Sequence, residues 1–205
     1  MIAFVPAYDE ATRANFQAVG RHLPANALVG PLADRAGLLA ALNLISGSPL
    51  VIWSHGTHDG PLGDMGQLAL NAGDVVALAG RPTYVFACHT GTSFGSTAAH
   101  AGWTWWGYTG AVSAPGGTTA ELQLMGLAFQ EVLHFFLTAH TNVTQPQQLA
   151  GLQAIADRFE QQLDVLGATA DNYLCLLHLW SRLRVWTAHA AAPIAPPNAG
   201  PLFID

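Results

Sequence analysis

The chain contains no lysine, and charged residues of all kinds make up only 10% of its 205 residues. All 7 basic residues are arginines, and a formal net charge of -6 leaves no basic stripe that could neutralise a phosphate backbone. We therefore expect no nucleic-acid partner. So few charges also indicate either a neutral surface or a partner that covers part of it.

Long apolar runs and a recognisable leader are also missing from the sequence. No run reads as long enough for a membrane span, and the amino terminus lacks the basic start and small-residue cleavage site of a signal peptide. We therefore expect a cytoplasmic protein with no membrane partner.

Cysteine is scarce, and the two cysteines lie in different settings. Cys175 stands in an apolar helical stretch, where a buried and inert thiol is the usual finding. Cys88 follows a short apolar run and precedes His89, which favours an exposed, reactive thiol over a small core residue. A disulfide between the two is not expected in a cytosolic protein of this size.

Two motifs follow short apolar runs that read as buried strands. The run at 49–53 leads into His55 and Gly56, and the run at 82–87 leads into Cys88. Parallel strands open their carboxyl ends onto one crevice, where ligands commonly bind. We therefore expect an imidazole and a thiol to meet at one edge of a sheet.

A thiol with a nearby imidazole is the nucleophile and base pair of acyl-transfer chemistry. The backbone N–H groups of Gly56 and Cys88 are the candidate oxyanion donors. Loops at the same edge are expected to line a substrate cleft, and their carboxylates would favour a basic side chain unless they are simply solvated. The candidate substrate-binding residues are Asp9, Asp59, Asp64, Pro115 and Gly116.

The order of elements predicts an α/β fold. Strand and helix patterns alternate up to about residue 140, which is typical of a mostly parallel sheet covered on both faces. A fifth strand is predicted over 104–112, and further helices over 145–166 and 171–189. We expect a catalytic domain over 1–144 and a helical extension over 145–205, packed on that domain.

The two motifs resemble those of the caspase-like clan of cysteine peptidases, and in particular its bacterial CHAT-type members. In that clan, a hydrophobic strand ends in His-Gly and a later one in Ala-Cys or a similar pair, as at 51–56 and 84–88 here. The resemblance extends from about residue 33 to 140, and it offers no counterpart for the helices beyond 145.

The resemblance implies a caspase-like three-layer sandwich and a cysteine endopeptidase that uses a His55 and Cys88 dyad, with neither cofactor nor metal. It also implies one dedicated protein or peptide substrate, such as a pore-forming or stress-response effector in bacterial defence.

A serine esterase is the alternative enzyme, because residues 91–95 match the G-x-S-x-G pattern around Ser93. That motif requires a strand to run directly into its first glycine, whereas residues 88–90 intervene here. The candidate acids and bases also lie in helical stretches rather than after strands; they are Asp157, Asp164, His178 and His189.

Two further hypotheses involve no peptidase chemistry. A zinc site could draw on nitrogen and sulfur ligands. Alternatively, a caspase-like scaffold could serve as a binding module that presents exposed Trp180 and Trp186. The potential zinc ligands are His55, His58, Cys88 and His89.

Overall fold

A computed structural model describes residues 1–200 of the chain. Within that range the strands are β1 (Ile2–Val5), β2 (Leu28–Val29), β3 (Leu50–Trp53), β4 (Gly56–Thr57), β5 (Gly60–Pro61), β6 (Thr83–Phe86), β7 (Trp105–Tyr108) and β8 (Leu183–Trp186). Six of them form one sheet in the order β2-β1-β3-β6-β7-β8, and β4 pairs with β5 in a separate hairpin. All neighbours in the large sheet are parallel except β7 and β8, which are antiparallel.

Helices cover both faces of this sheet. The α-helices are α1 (Glu10–Val19), α2 (Arg35–Leu44), α3 (Ser93–His100), α4 (Thr119–Ala139), α5 (Ala150–Leu166) and α6 (Ala170–Ser181). Short 3₁₀ helices occupy Gly20–His22, Gly30–Leu32, Asp64–Gly66, Ala72–Leu78 and Pro146–Leu149.

The central strands are apolar on both faces because both faces are covered. Every residue of β1, β3, β6 and β7 is buried, as expected for strands between two helical layers. One core cluster joins the sheet to α1, α4, α5 and α6, and a second joins its opposite face to α2, α3 and the 3₁₀ helix over Ala72–Leu78.

Side-chain caps fix where the helices nearest the carboxyl edge begin. Asp9 and Thr12 form a reciprocal capping box at the start of α1, and Thr118 and Glu121 form another at the start of α4. Such boxes satisfy backbone N–H groups that have no partner within the helix. They therefore anchor the loops after β1 and β7 to rigid elements.

The structure confirms the α/β class, the mostly parallel sheet and the C-terminal helices. Two boundary predictions are wrong. The strand expected over 104–112 is limited to Trp105–Tyr108, and the helix expected over 171–189 ends at Ser181. The chain then forms β8, which pairs with β7 and bridges to Ile194 through Val185.

The C-terminal region is joined to the sheet domain through one shared core. Leu163, Cys175 and Leu183 belong to the same buried cluster as residues of β1 and β3. Trp180 and Trp186 are only 9% and 7% exposed, so the prediction of an exposed tryptophan surface is wrong. The last five positions of the expected extension, 201–205, lie outside the described residues.

Helix α4 is the longest helix in the described part of the chain. By length and composition it could cross a membrane, contrary to the expectation from the sequence. In this fold α4 packs on α1 and α5 and contributes Met125, Ala128 and Phe129 to the core. The core helix of a globular protein can have the same length and apolar composition.

Candidate active site

The ends of β3 and β6 lie side by side. The register pairs Trp53 with Phe86 as the last residues of these parallel strands, and the Ser54 N–H donates to the Phe86 carbonyl at 3.1 Å. His55 and Cys88 each follow two residues beyond that last pair. The structure thus brings the predicted imidazole and thiol to neighbouring positions at the carboxyl edge of the sheet.

Gly56 allows the two strand ends to approach closely. A Cβ atom at this position would overlap the Cys88 carbonyl oxygen and stand 2.9 Å from both the Cβ of Ala87 and the Cγ2 of Thr90. Only glycine leaves room for this approach. The backbone of Gly56 is thereby held against the segment that carries Cys88.

Cys88 is half-buried, and its sulfur is held by the loop that follows β7. The Val112 N–H donates to Sγ at 3.3 Å, and the thiol lies 3.8 Å from the Val112 carbonyl oxygen. Among residues 1–200 the Cys88 N–H has no hydrogen-bond acceptor. The predicted oxyanion role requires an N–H without an acceptor in the protein.

His55 contacts a carboxylate rather than the thiol. Its Nε2 lies 2.7 Å from Oδ2 of Asp9, the residue that caps α1. Within the described chain, His55 and Cys88 make no hydrogen bond to each other, as is common for nucleophile and base pairs without substrate. Since β1, β3 and β6 are consecutive in the sheet, Asp9, His55 and Cys88 follow three neighbouring strands.

The charge of Asp9 is stabilised by its neighbours. Partial burial raises the pKa of its carboxyl group, but hydrogen bonds from Thr12 and the contact with His55 outweigh that effect and lower the pKa overall. Asp9 is therefore a carboxylate at neutral pH, and both of its oxygens are engaged by protein groups.

Pro115 and Gly116 line a groove of about 610 Å³ between α1 and the loop after β7. Its charged lining consists of Glu10, Arg13 and Asp171. The predicted substrate carboxylates lie elsewhere: Asp59 lines another surface groove, beside Asn71 and Ser93, and Asp64 begins a 3₁₀ turn near Tyr8.

Buried polar side chains hold in place the loop after β7, residues 109–118, which lines this groove and is called the groove loop below. Asn172 accepts the Gly116 N–H at 3.0 Å and donates to the Gly116 carbonyl at 3.1 Å. Glu121 accepts N–H groups from Thr118 and Thr169. The ring of His178 accepts the Ser113 N–H at 3.1 Å.

The pKa values of two of these groups reflect their surroundings. Hydrogen bonds from the backbone of Thr118 and Thr169 lower the pKa of Glu121 to about 2. Burial, with a smaller contribution from Arg182, lowers the pKa of His178 to about 4. At neutral pH the loop is therefore held by a carboxylate and a neutral imidazole.

Sequence reasoning did not identify this supporting set or the contact between Asp9 and His55. The T-x-x-E pattern at 118–121 does signal the capping role of Glu121. No local pattern indicates Asn172 or His178, because their partners lie 56 and 65 residues away in the chain.

The surroundings of Ser93, the nucleophile of the esterase alternative, do not support that hypothesis. Ser93 begins α3, and its hydroxyl donates to the backbone carbonyl of His58 at 2.5 Å. Among the residues described, no carboxylate or imidazole is hydrogen-bonded to this hydroxyl. His178 is instead engaged with Ser113, and Asp164 accepts from Tyr173.

The zinc hypothesis also lacks support from the geometry. His58 packs on His89 with ring centroids 4.6 Å apart. Over residues 1–200, no group of three or more His, Cys, Asp and Glu side chains is arranged to hold a metal ion.

Comparisons of the chain with models of protein families, with curated proteins and with solved structures find no match.

Proposed function

We propose that this protein is a cysteine endopeptidase with a caspase-like α/β fold of the CHAT type, in which Cys88 is the nucleophile and His55 the acid and base. The observation that carries the proposal is the adjacency of the two strand ends, with Gly56 packed against the backbone of Cys88. This adjacency supplies a thiol, an imidazole and a backbone donor at the edge of the sheet where ligands commonly bind.

The first half of the reaction forms a thioester. The thiol of Cys88 gives its proton to His55, and the resulting thiolate attacks the scissile carbonyl carbon. The carbonyl oxygen takes up negative charge beside the N–H groups of Gly56 and Cys88. When the C–N bond breaks, His55 gives a proton to the leaving amine. The amine product departs, and the acyl group stays on Cys88.

The second half consumes water. His55 accepts a proton from a water molecule, whose oxygen attacks the thioester carbonyl. The C–S bond then breaks, the thiolate of Cys88 is restored, and the second product leaves as a carboxylic acid. The net reaction is hydrolysis of one peptide bond, and it requires no cofactor.

The proposed substrate cleft is the groove of about 610 Å³. His55 and Cys88 do not line it, but its lining residue Ser113 follows Val112, whose N–H contacts the sulfur of Cys88. Two carboxylates, Glu10 and Asp171, and one guanidinium, Arg13, provide its charge, so the balance favours a basic substrate side chain. We extend the proposal to a cytoplasmic enzyme that cuts one dedicated protein partner in bacterial defence, such as a pore-forming or stress-response effector.

The test is the rate at which Cys88 reacts with a slow alkylating agent near neutral pH, followed by intact mass. Cys175 is fully buried, and burial raises the pKa of its thiol, so a single rapid label reports Cys88. We expect the label to be absent in Cys88→Ala and about tenfold slower to form in His55→Ala, somewhat below the usual range for a lost acid–base group.

His100→Ala is the matched control, since His100 is an exposed histidine of α3. It should label at the wild-type rate. If Cys88 labels no faster than a free thiol, or if His55→Ala labels as fast as wild type, the peptidase proposal fails. A binding module then becomes the better hypothesis.

A further inference from the structure

Asp9 is joined to His55 across the sheet edge by a short hydrogen bond. The Nε2 atom of His55 lies 2.7 Å from Oδ2 of Asp9. The other carboxylate oxygen of Asp9 accepts the backbone N–H of Thr12 at 2.9 Å and its hydroxyl at 2.7 Å. The contacts with Thr12 therefore hold the carboxylate at the first turn of α1 independently of the imidazole.

This contact is poorly suited to stabilising the fold. The side chains of His55 and Asp9 are 37% and 40% exposed, and ion pairs with that much solvent contact contribute only about 0–1 kcal/mol to stability. The capping of α1 uses Oδ1 and does not need the imidazole. The main consequence of the contact is thus the orientation of the ring.

Occupation of Nε2 decides which ring atom can exchange a proton. Among the residues described, nothing forms a hydrogen bond with Nδ1 of His55. A carboxylate on one nitrogen of a histidine fixes the tautomer and stabilises the imidazolium that forms during catalysis. In the proposed reaction, Nδ1 is the nitrogen left to exchange protons with Cys88 and the leaving amine.

We propose that Asp9 is a positioning residue for His55. The site is then a triad of Asp9, His55 and Cys88, whose members follow three strands that are neighbours in the sheet. This inference rests on the proposed peptidase function. It also gives Asp9 a role toward the imidazole in place of direct contact with substrate.

Two other titratable groups lie near this pair. The ring of Tyr8 packs on that of His55 at 6.1 Å between centroids, and Asp64 lies close enough to act on Tyr8. Burial, followed by the charges of Asp9 and Asp64, raises the pKa of Tyr8, so its hydroxyl stays neutral from pH 5 to 9. Asp9 is the carboxylate in direct contact with the imidazole.

Asp9→Asn separates the charge of this residue from its capping role. Asparagine is as good an N-cap as aspartate, so α1 keeps its first turn while the carboxylate is lost. Asp34→Asn is the matched control, because Asp34 caps α2 by accepting the Gly37 N–H and is exposed.

The experiment measures the rate of Cys88 alkylation from pH 5 to 9 in wild type, Asp9→Asn, His55→Ala and the double variant. We expect Asp9→Asn to slow labelling about fivefold at neutral pH and to move the acid limb of the profile to lower pH. In the His55→Ala background, Asp9→Asn should have no further effect, since it acts through the imidazole. Asp34→Asn should match wild type.

The possible results distinguish the two proposals. If His55→Ala slows labelling but Asp9→Asn does not, the positioning role is wrong and the peptidase proposal stands. If Asp9→Asn slows labelling equally with and without His55, Asp9 acts through the fold and the inference is overturned. If His55→Ala has no effect, both proposals fail.

Discussion

Gly56 and Cys88 are packed backbone to backbone, so that any side chain at Gly56 would overlap the Cys88 carbonyl oxygen. The contact lies where β3 and β6 end, and the neighbouring atoms belong to the backbone and to buried Ala87 and Thr90. These atoms have little freedom to move aside. The two strand ends therefore depend on a residue without a Cβ.

We predict that Gly56→Ala lowers the free energy of unfolding by about 1–3 kcal/mol, the usual cost of overpacking. It should also make Cys88 labelling insensitive to His55→Ala, because the strand ends are forced apart. Urea unfolding and alkylation rates measure the two effects. Gly20→Ala is the control, since a Cβ there meets only ordinary contacts with Phe16; equal losses in both variants would contradict the prediction.

The strands that carry the site are predictable because their sequences are unambiguous. The runs at 49–53 and 82–87 are short, apolar and bounded by turn residues, which is typical of strands covered on both faces. The run from 174 to 186 has apolar residues at both helical and strand spacings. There, the open edge of β7 decides where α6 ends and β8 begins, and that edge is a property of the whole fold.

The site is predictable only as far as strand ends determine it. His55 and Cys88 follow directly from the rule that parallel strands open onto one crevice. The contact between Asp9 and His55 spans 46 residues, and its one local signal, the capping box with Thr12, indicates a helix start rather than an imidazole. Such contacts depend on which strands become neighbours.

Burial of His178, which holds the groove loop through Ser113, should make the fold sensitive to mild acid. The pKa of His178 is about 4 in the folded protein and 6.5 in the unfolded chain, so between these values the unfolded state binds more protons. Stability conferred by the neutral ring is complete above pH 6.5 and falls as the pH approaches 4.

We predict that the free energy of unfolding declines as the pH falls from 6.5 to 4.5 in wild type, and that this decline is gentler in His178→Asn. Asparagine can still accept the Ser113 N–H through its side-chain oxygen but does not titrate. Urea unfolding at several pH values measures the slope. His100→Asn removes an exposed imidazole and should leave the slope unchanged; an unaltered slope in His178→Asn would contradict the assignment.

Glu121 ties the start of α4 to the start of α6. Its carboxylate accepts N–H groups from Thr118 and Thr169 and the side-chain amide of Asn172, and it is only 4% exposed. Replacing one oxygen by an amide nitrogen leaves buried donors facing another donor, which costs the full desolvation of those groups.

We predict that Glu121→Gln lowers the free energy of unfolding at pH 7 by about 2–3 kcal/mol. Glu131→Gln is the matched control on the same helix, because Glu131 pairs with Arg158 at the surface and such pairs contribute about 0–1 kcal/mol. Urea unfolding of both variants measures the difference. Similar decreases in the free energy of unfolding of the two variants would contradict the prediction.

The charge of the proposed substrate cleft predicts which substrate side chain it prefers. Glu10 and Asp171 make no ion pair among the residues described, whereas the guanidinium of Arg13 already donates to the Tyr8 carbonyl at 3.2 Å. The two carboxylates are therefore better placed than Arg13 to meet a charged substrate group. A basic side chain is the complementary one.

We predict that a peptide library incubated with the protein is cut preferentially at sites carrying arginine or lysine. Glu10→Gln combined with Asp171→Asn should reduce that preference about fivefold, as expected when exposed ion pairs worth ~1 kcal/mol are lost. Asp59→Asn makes a similar charge change in another groove and should leave the preference intact. Preferential cutting at acidic sites, abolished by Arg13→Gln, would instead show that the guanidinium selects the substrate.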